Sequence, residues 1–162
     1  MIMIIQHLKD KLNQLMVRLD RKRVILDRQS FKPYLIRYYV FLKDRKRFPF
    51  NIFVHKFLKS DPHDVHDHPW PYATLILKGG YYEWVPKFDK AGRKIGEIRH
   101  WRGPGHLRIS KATSYHRIEL NSKIECWTLF MPGPQRKEWG FLVDNKWIPN
   151  EQYFQLRKST NT

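Results

Sequence analysis

The sequence predicts an all-β protein, an antiparallel sandwich or barrel preceded by one amphipathic helix. From residue 34 onward, short runs rich in Tyr, Val, Ile, Phe, Trp and Thr are separated by turn residues, which is typical of β-strands. No helical period interrupts these runs, and strands without intervening helices pair antiparallel. Before residue 34 the apolar residues instead recur every three or four positions, which is the period of a helix.

Nine strands are predicted from these runs. The segments between them contain turn residues, such as Gly79-Gly80 and Gly103-Pro104-Gly105. The predicted strands cover residues 34–42, 50–58, 72–77, 81–85, 95–101, 106–109, 116–120, 125–130 and 139–143.

The predicted helix covers about residues 3–20. Its apolar residues are spaced three or four apart, with charged residues on the other faces. They are Ile5, Leu8, Leu12, Leu15 and Leu19. Such a stripe packs on its own domain or on a second subunit more often than on a membrane, so we expect one of the first two, and a homodimer is one of the expected forms.

The chain of 162 residues suits a single domain. We divide it into a basic helical extension (residues 1–33), a β-barrel domain (34–156) and a short tail (157–162). No apolar stretch approaches the ~20 residues that cross a bilayer, and the apolar opening is too short for a signal-peptide core. One cysteine, Cys126, excludes an internal disulfide and is expected to be a buried thiol. A cytoplasmic protein is therefore expected.

The net charge of +16 is concentrated near the start of the chain, where residues 1–50 hold 13 Lys and Arg against four Asp. Such a field attracts phosphate-rich partners by counterion release, so nucleic acid is one candidate partner. Any such binding is expected to be weak, independent of sequence and strongly salt-dependent. The alternative is a solvated basic face with no partner.

Histidines are concentrated in two segments, residues 63–68 and residues 114–116. In an extended chain alternate residues share a face, so His66 and His68 present two imidazoles to one point while Asp67 turns outward. Imidazole is the commonest protein ligand for metals, and His116 on a distant strand supplies a third. The alternatives are a hydrogen-bonded histidine network without metal, or histidines on the surface.

The spacing of these histidines resembles the cupin superfamily, whose two motifs are Gly-x5-His-x-His-x3-4-Glu-x6-Gly and Gly-x5-Pro-x-Gly-x2-His-x3-Asn. His66 and His68 are followed at the expected distance by Gly79-Gly80, and Gly105 precedes His116 at the separation of the second motif. The resemblance covers about residues 60–120. It implies a small β-barrel of the double-stranded β-helix or jelly-roll type.

Other motif positions differ: Ser60 stands at the first glycine, Tyr72 or Ala73 at the glutamate, Lys111 at the proline, Thr113 at the second-motif glycine and Leu120 at the asparagine. Carried over residue by residue, the resemblance implies His66, His68 and His116 as metal ligands and leaves the usual carboxylate ligand without a counterpart. Glu83 is the expected substitute ligand if the barrel brings it inward. Asp64, which lies on the same face of the extended segment as the two histidines, is expected to orient one of the metal ligands without binding the metal itself.

Aromatic residues are dense around these positions. They are expected either to pack the barrel or to line a ligand pocket. The predicted pocket residues are Trp70, Tyr72, Trp84 and Trp127.

The sequence therefore predicts a metal-dependent enzyme that acts on a small molecule. Imidazole-held Fe, Mn, Ni or Zn with open positions suits an oxygenase or isomerase, as in cupins. A non-catalytic ligand-binding or sensor barrel is the second hypothesis, because the missing carboxylate weakens the ligand set. Nucleic-acid binding through the basic N-terminal region is the third. No catalytic residue is assigned.

Overall fold

The computed structural model describes residues 2–28, 30–43, 48–121 and 124–159. Its helices are α1 (Ile2–Arg18) and α2 (Asn150–Ser159). Its strands are β1 (Lys22–Leu26), β2 (Pro33–Tyr39), β3 (Phe53–Phe57), β4 (Tyr72–Lys78), β5 (Tyr81–Phe88), β6 (Lys94–Arg102), β7 (Leu107–Ser110), β8 (Arg117–Leu120), β9 (Cys126–Pro132), β10 (Gly140–Val143) and β11 (Lys146–Pro149).

The strands form three antiparallel sheets. Six strands make the largest sheet in the order β1-β2-β3-β9-β4-β7, three make a second in the order β6-β5-β8, and β10 pairs with β11. The predicted fold class, antiparallel β with an N-terminal helix, is confirmed. The hydrogen-bonded ladders of the described residues do not close into one continuous barrel, because β1 and β7 are free edges of the large sheet.

The core lies between the large sheet and the three-stranded sheet. Alternate residues of each strand face inward, as the period of two requires. Ile76 of β4 and Cys126 of β9 therefore meet Tyr81 of β5 and Ile118 of β8 in one buried cluster. This packing places the inner faces of the two sheets around the histidine segments.

Three elements were not predicted from the sequence: β1, β11 and α2. Strand β1 pairs antiparallel with β2, with a shift of register between Ile25 and Leu26, so the large sheet includes part of the segment assigned to the N-terminal extension. Helix α2 packs on β10 through Tyr153, whose ring stacks on Phe141 with centroids 3.7 Å apart. The division of the chain into an extension, a barrel domain and a tail stays a prediction.

Helix α1 confirms the predicted helix but does not bury its apolar stripe. Leu8 and Leu12 are each 60% exposed. The bonds that join the helix to the sheet come from Asn13, whose side-chain oxygen accepts from Lys22 Nζ at 2.9 Å and from the Tyr38 hydroxyl at 3.4 Å. The expectation that the stripe packs on its own domain is therefore wrong for the described side chains, and packing on a second subunit stays a prediction. No helix among the described residues is long and apolar enough to cross a bilayer.

Deleting residues 1–20 is expected to leave the β-sheet intact. The helix contributes little buried area, and each lost hydrogen bond is worth only about 0.5–1.5 kcal/mol. The far-ultraviolet circular dichroism of the truncated chain should retain its strand signal, with a small decrease in melting temperature. A chain that no longer folds after this deletion would show that α1 completes the core.

The single cysteine is expected to be unreactive in the folded protein. Cys126 is fully buried, and burial raises the pKa of its thiol to about 11 although the Gly80 backbone amide lowers it in part. Because the thiolate is the reactive form, iodoacetamide at pH 8 should leave the folded chain unmodified for hours and alkylate it in minutes in 6 M guanidinium (order-of-magnitude times). Mass spectrometry measures both states. Rapid modification of the folded chain would show that β9 opens readily.

Candidate metal centre

Backbone pairing brings the two histidine segments together. The His66 amide donates to the carbonyl of His116 at 2.8 Å, and the His116 amide donates to the carbonyl of His66 at 2.9 Å. On its other side the same segment pairs with β10, where the Leu142 amide donates to the carbonyl of Val65 at 2.9 Å. The ligand segment thus lies as a short extended piece between the start of β8 and β10.

The three imidazoles converge on one point, as the strand parity predicted. One ring nitrogen from each of His66, His68 and His116 lies within 4.8 Å of the others. The three ring centroids are 5.1 Å apart in every pair, and Nε2 of His68 is 2.9 Å from Nε2 of His116. His66 and His116 are buried and His68 is half-buried. We call these three residues the histidine cluster.

The histidine cluster fits a divalent ion. An ion about 2.0–2.1 Å from two nitrogens at a right angle separates them by about 2.9 Å, which is the spacing of His68 and His116. The same spacing suits an N–H···N hydrogen bond between the two rings in the metal-free protein. The buried Nδ1 of His66 has no hydrogen-bond partner among the described residues. A buried ring nitrogen without a partner is costly in the interior unless a metal, a water or a ligand engages it.

The environment favours neutral imidazoles, the form that binds metals. Burial lowers the pKa of His66 to about 4. The charges of Asp61 and Asp67 raise this pKa in part, and His116 lowers it further. Burial, and then the proximity of His66 and His116, lowers the pKa of His68 well below its usual value. At neutral pH these two rings are therefore neutral imidazoles, in which one nitrogen carries a proton and the other keeps a lone pair for an ion.

Glu83 contacts the histidine cluster through the ring nitrogen of His116 that faces away from the other two imidazoles. This fully buried carboxylate on β5 lies 2.9 Å from Nδ1 of His116, and its other oxygen accepts from Arg102 Nε at 2.8 Å and from Arg108. Burial alone raises the pKa of Glu83, but the hydrogen bond and charge of His116 and the two arginines outweigh it and lower the pKa to about 2. An ionised carboxylate can only accept, so Nδ1 of His116 donates to Glu83 and Nε2 is the ring nitrogen that remains available to an ion.

Two aspartates lie elsewhere than the sequence predicted. The carboxylate of Asp64 accepts from the Tyr153 hydroxyl at 2.9 Å and from Arg157, so it anchors α2, and within the described chain it bonds to no imidazole. The side chain of Asp67 turns away from the cluster as expected, but it is buried, with 1% of its surface exposed, and does not reach solvent. The β10–β11 hairpin covers Asp67: the Gly140 amide donates to its carboxylate at 2.8 Å and the Trp147 indole donates at 3.1 Å. Lys137, just before β10, also donates to it.

A cavity of about 330 Å³ opens beside the histidine cluster. Of the predicted pocket residues, Trp70 and Tyr72 line it, and the Tyr72 hydroxyl lies 3.1 Å from Nε2 of His116. Burial raises the pKa of Tyr72 to about 12, so its hydroxyl keeps its proton.

Trp84 and Trp127 do not line the cavity. Their neighbours Glu83 and Cys126 face inward, so both indoles lie on the outer faces of the sheets. Trp84 donates to Glu119 at 2.6 Å, and Trp127 stacks on Tyr38. Sequence reasoning missed other lining aromatics, all of which lie in predicted strands or in α2: Tyr34, Phe57, Tyr81, Phe130, Trp139, Phe141 and Phe154.

The antiparallel sheets and the inward-facing histidine cluster define a cupin-fold protein with a candidate metal centre. Solved structures agree at the level of the fold. A cupin-2 domain protein from Rhodospirillum rubrum is 13% identical over 84% of this chain and 81% of its own, with a TM-score of 0.53. The polyketide cyclase RemF from Streptomyces resistomycificus is 16% identical over 78% of this chain and 82% of its own, with a TM-score of 0.52.

A third similar structure is Fe(II)-HppE, which is 11% identical over 70% of this chain, with a TM-score of 0.51. This chain covers 56% of the HppE chain. At such identities the likeness establishes the cupin fold alone. No protein-family model and no curated protein matches the sequence.

Proposed function

We propose that this protein is a metal-dependent cupin-fold enzyme that acts on a small molecule. In this proposal His66, His68 and His116 hold one divalent first-row ion, Fe, Mn, Ni or Zn. The observation that carries the proposal is the convergence of three imidazoles within 4.8 Å beside a cavity of about 330 Å³. Pockets of about 300–1,000 Å³ lined by apolar and aromatic side chains are typical of small-molecule sites.

The residues around the ion have separable tasks in this proposal. An ion held by three imidazoles would offer open positions to a substrate and to water or dioxygen. Glu83 fixes the orientation of His116, because it holds the opposite ring nitrogen. The Tyr72 hydroxyl, 3.1 Å from Nε2 of His116, keeps its proton and can donate a hydrogen bond to a bound molecule. Iron in HppE and cyclisation chemistry in RemF, on similar folds, support the class of function without specifying the reaction.

Elemental analysis of the chain tests this proposal. The protein should be purified without an affinity tag from cells supplied with Fe, Mn, Ni and Zn. About one equivalent of one of these metals per chain is expected, with an anomalous-scattering peak between the three imidazoles. A protein that carries no metal under these conditions, or histidine rings that diverge in a crystal, would contradict the proposal.

A non-catalytic binding or sensor barrel is the alternative. The observation that favours it is the ligand set, because the only candidate cluster in the described ranges holds three histidines and no carboxylate. Glu83 does not supply the missing ligand, since its carboxylate is bonded to His116, Arg102 and Arg108. A metal-loaded protein that binds a ligand and returns it unchanged would favour the alternative.

The remaining expectations about partners and location stay predictions. Nucleic-acid binding was one candidate function for residues 1–50, part of which, residues 44–47, lies outside the described residues. A homodimer and a cytoplasmic location are likewise untested. The basic charge of +16 is compatible with an anionic small molecule as well as with nucleic acid.

A further inference from the structure

A cationic side chain faces the cavity away from the histidine cluster. Arg37 on β2 is opposite His55 on β3, and His55 is opposite Thr128 on β9, so the three lie in one row across the large sheet. All three line the cavity. The Nε of Arg37 donates to Nε2 of His55 at 3.0 Å, and its guanidinium lies over the Phe53 ring at 4.5 Å.

No carboxylate in the described part of the chain forms an ion pair with Arg37. The neighbouring acids are engaged elsewhere: Asp61 accepts from Tyr34 and from the Ile118 amide, and Asp27 pairs with Lys59 at 2.8 Å. Burial lowers the pKa of Arg37, although Tyr39 partly offsets it. A partly desolvated cation without a counter-ion is costly, which favours a site that an anion completes.

A buried hydroxyl lies in the same row. Oγ1 of Thr128 has no hydrogen-bond partner among the described residues, although the side chain is fully buried and lines the cavity. His55 is also buried, and burial followed by the charge of Arg37 lowers its pKa well below the usual value, so it adds no second charge. Arg37 and Thr128 therefore offer a charge and an unused hydroxyl to a ligand in the cavity.

One aromatic ring connects this row to the histidine cluster. Phe130 stacks on His55 with centroids 5.2 Å apart, and its ring lies 5.2 Å from Tyr72 and 6.5 Å from His68. A molecule that lies along Phe130 would thus have one end at Arg37 and the other at the imidazoles. We propose that the cavity binds a small organic anion whose carboxylate or phosphate group pairs with Arg37 and accepts from Thr128. The inference rests on the proposed function only for the end of the molecule that reaches the metal.

Binding of aromatic anions to metal-free protein tests this inference. Benzoate and phenylphosphonate serve as probes, and benzamide serves as the neutral counterpart of benzoate. Titration calorimetry of the chelator-treated chain should show that both anions bind at least tenfold more tightly than benzamide. Because no ion is present, direct coordination of the probe cannot explain this preference.

Variants at two neighbouring arginines identify the anion contact. Arg37→Gln should weaken benzoate binding at least tenfold and leave benzamide binding unchanged. Arg23→Gln removes the same charge from the opposite position on β1, where the side chain is exposed and does not line the cavity, so it should weaken benzoate binding much less than Arg37→Gln. Arg28, another arginine that lines the cavity, is bonded to Asn150 and lies over the rings of Trp139 and Phe154. Benzoate binding that is lost in Arg28→Gln and kept in Arg37→Gln would overturn the assignment to Arg37.

The outcomes separate this inference from the proposed function. Equal binding of benzoate and benzamide by the wild type would overturn the anion site, as would unchanged benzoate binding by Arg37→Gln. If Arg37→Gln does not fold, the Nε–H resonance of Arg37 in wild-type protein decides, since benzoate must shift it and benzamide must not. Metal analysis of the protein before chelator treatment is an independent measurement. Protein that is purified with metal but shows no anion preference refutes only the inference, and protein that is purified without metal but prefers the anions refutes only the proposed function.

Discussion

Replacing His116 by alanine is expected to remove the metal from the purified protein. The substitution leaves two imidazoles in a ligand set that already lacks a carboxylate. Loss of a residue that only orients a ligand lowers metal affinity roughly 10- to 100-fold, so loss of a ligand itself should lower it more. The same result is expected for His68→Ala, because Nε2 of His68 and Nε2 of His116 face each other at 2.9 Å. Elemental analysis of untagged protein measures the occupancy.

His100→Ala is the matched control for these variants. His100 is exposed on β6 and does not line the cavity, so its loss should leave the metal content unchanged. His55 would be a poor control because it is buried against Arg37 at the cavity. Equal metal content in His116→Ala and His100→Ala would refute the assignment of the ligands.

Glu83→Gln is expected to destabilise the metal-free protein by about 3 kcal/mol, the lower end of the range for breaking a buried ion pair. The lower end applies because Arg102 and Arg108 retain 18% exposure, whereas the carboxylate itself is fully buried. The substitution leaves two arginines without their shared counter-ion. Urea denaturation of the chelator-treated protein measures the change in the free energy of unfolding.

The effect of Glu83 on the metal is a second, independent measurement. A residue that only stabilises the fold would leave the affinity of the folded site unchanged, whereas a positioning residue should lower it about 10- to 100-fold. Glu119→Gln provides the control, since Glu119 is bonded to Arg99 and Trp84 at a half-exposed site and should cost at most about 1 kcal/mol. Wild-type stability and metal affinity in Glu83→Gln would show that the carboxylate serves neither purpose.

The convergence of the histidines was predictable because it depends on local geometry and motif spacing. Alternation along an extended chain places His66 and His68 on one face, and the spacing of the second motif identifies His116. The same rule could have excluded Trp127 from the pocket, because Cys126 was expected to be buried and adjacent residues face opposite sides. Because Glu83 faces inward, its neighbour Trp84 faces outward. The sequence does not indicate which alternate residues of β5 face inward, since that depends on its pairing with β8.

The remaining features depend on contacts between distant parts of the chain. Asp67 was expected in solvent because nothing local indicates that β10 and β11 cover it. Strand β1 is short and highly charged, and it becomes a strand through its pairing with β2. Arg37 appeared as one basic residue among 13 in the first fifty, and only the arrangement of β2, β3 and β9 shows that it faces the cavity.

The reciprocal backbone bonds between His66 and His116 have a consequence for how the protein acquires its metal. Ligands fifty residues apart are already held together by the sheet, so an ion does not have to organise the chain when it binds. In a zinc finger the binding energy is the folding energy, and an ion once bound is kept by the fold that depends on it. Here chelation should leave a folded protein that accepts another ion. The ion present in the cell would then be decided by relative abundance and by the affinity order of first-row metals, and two batches grown on different media should differ in their metal without differing in their fold.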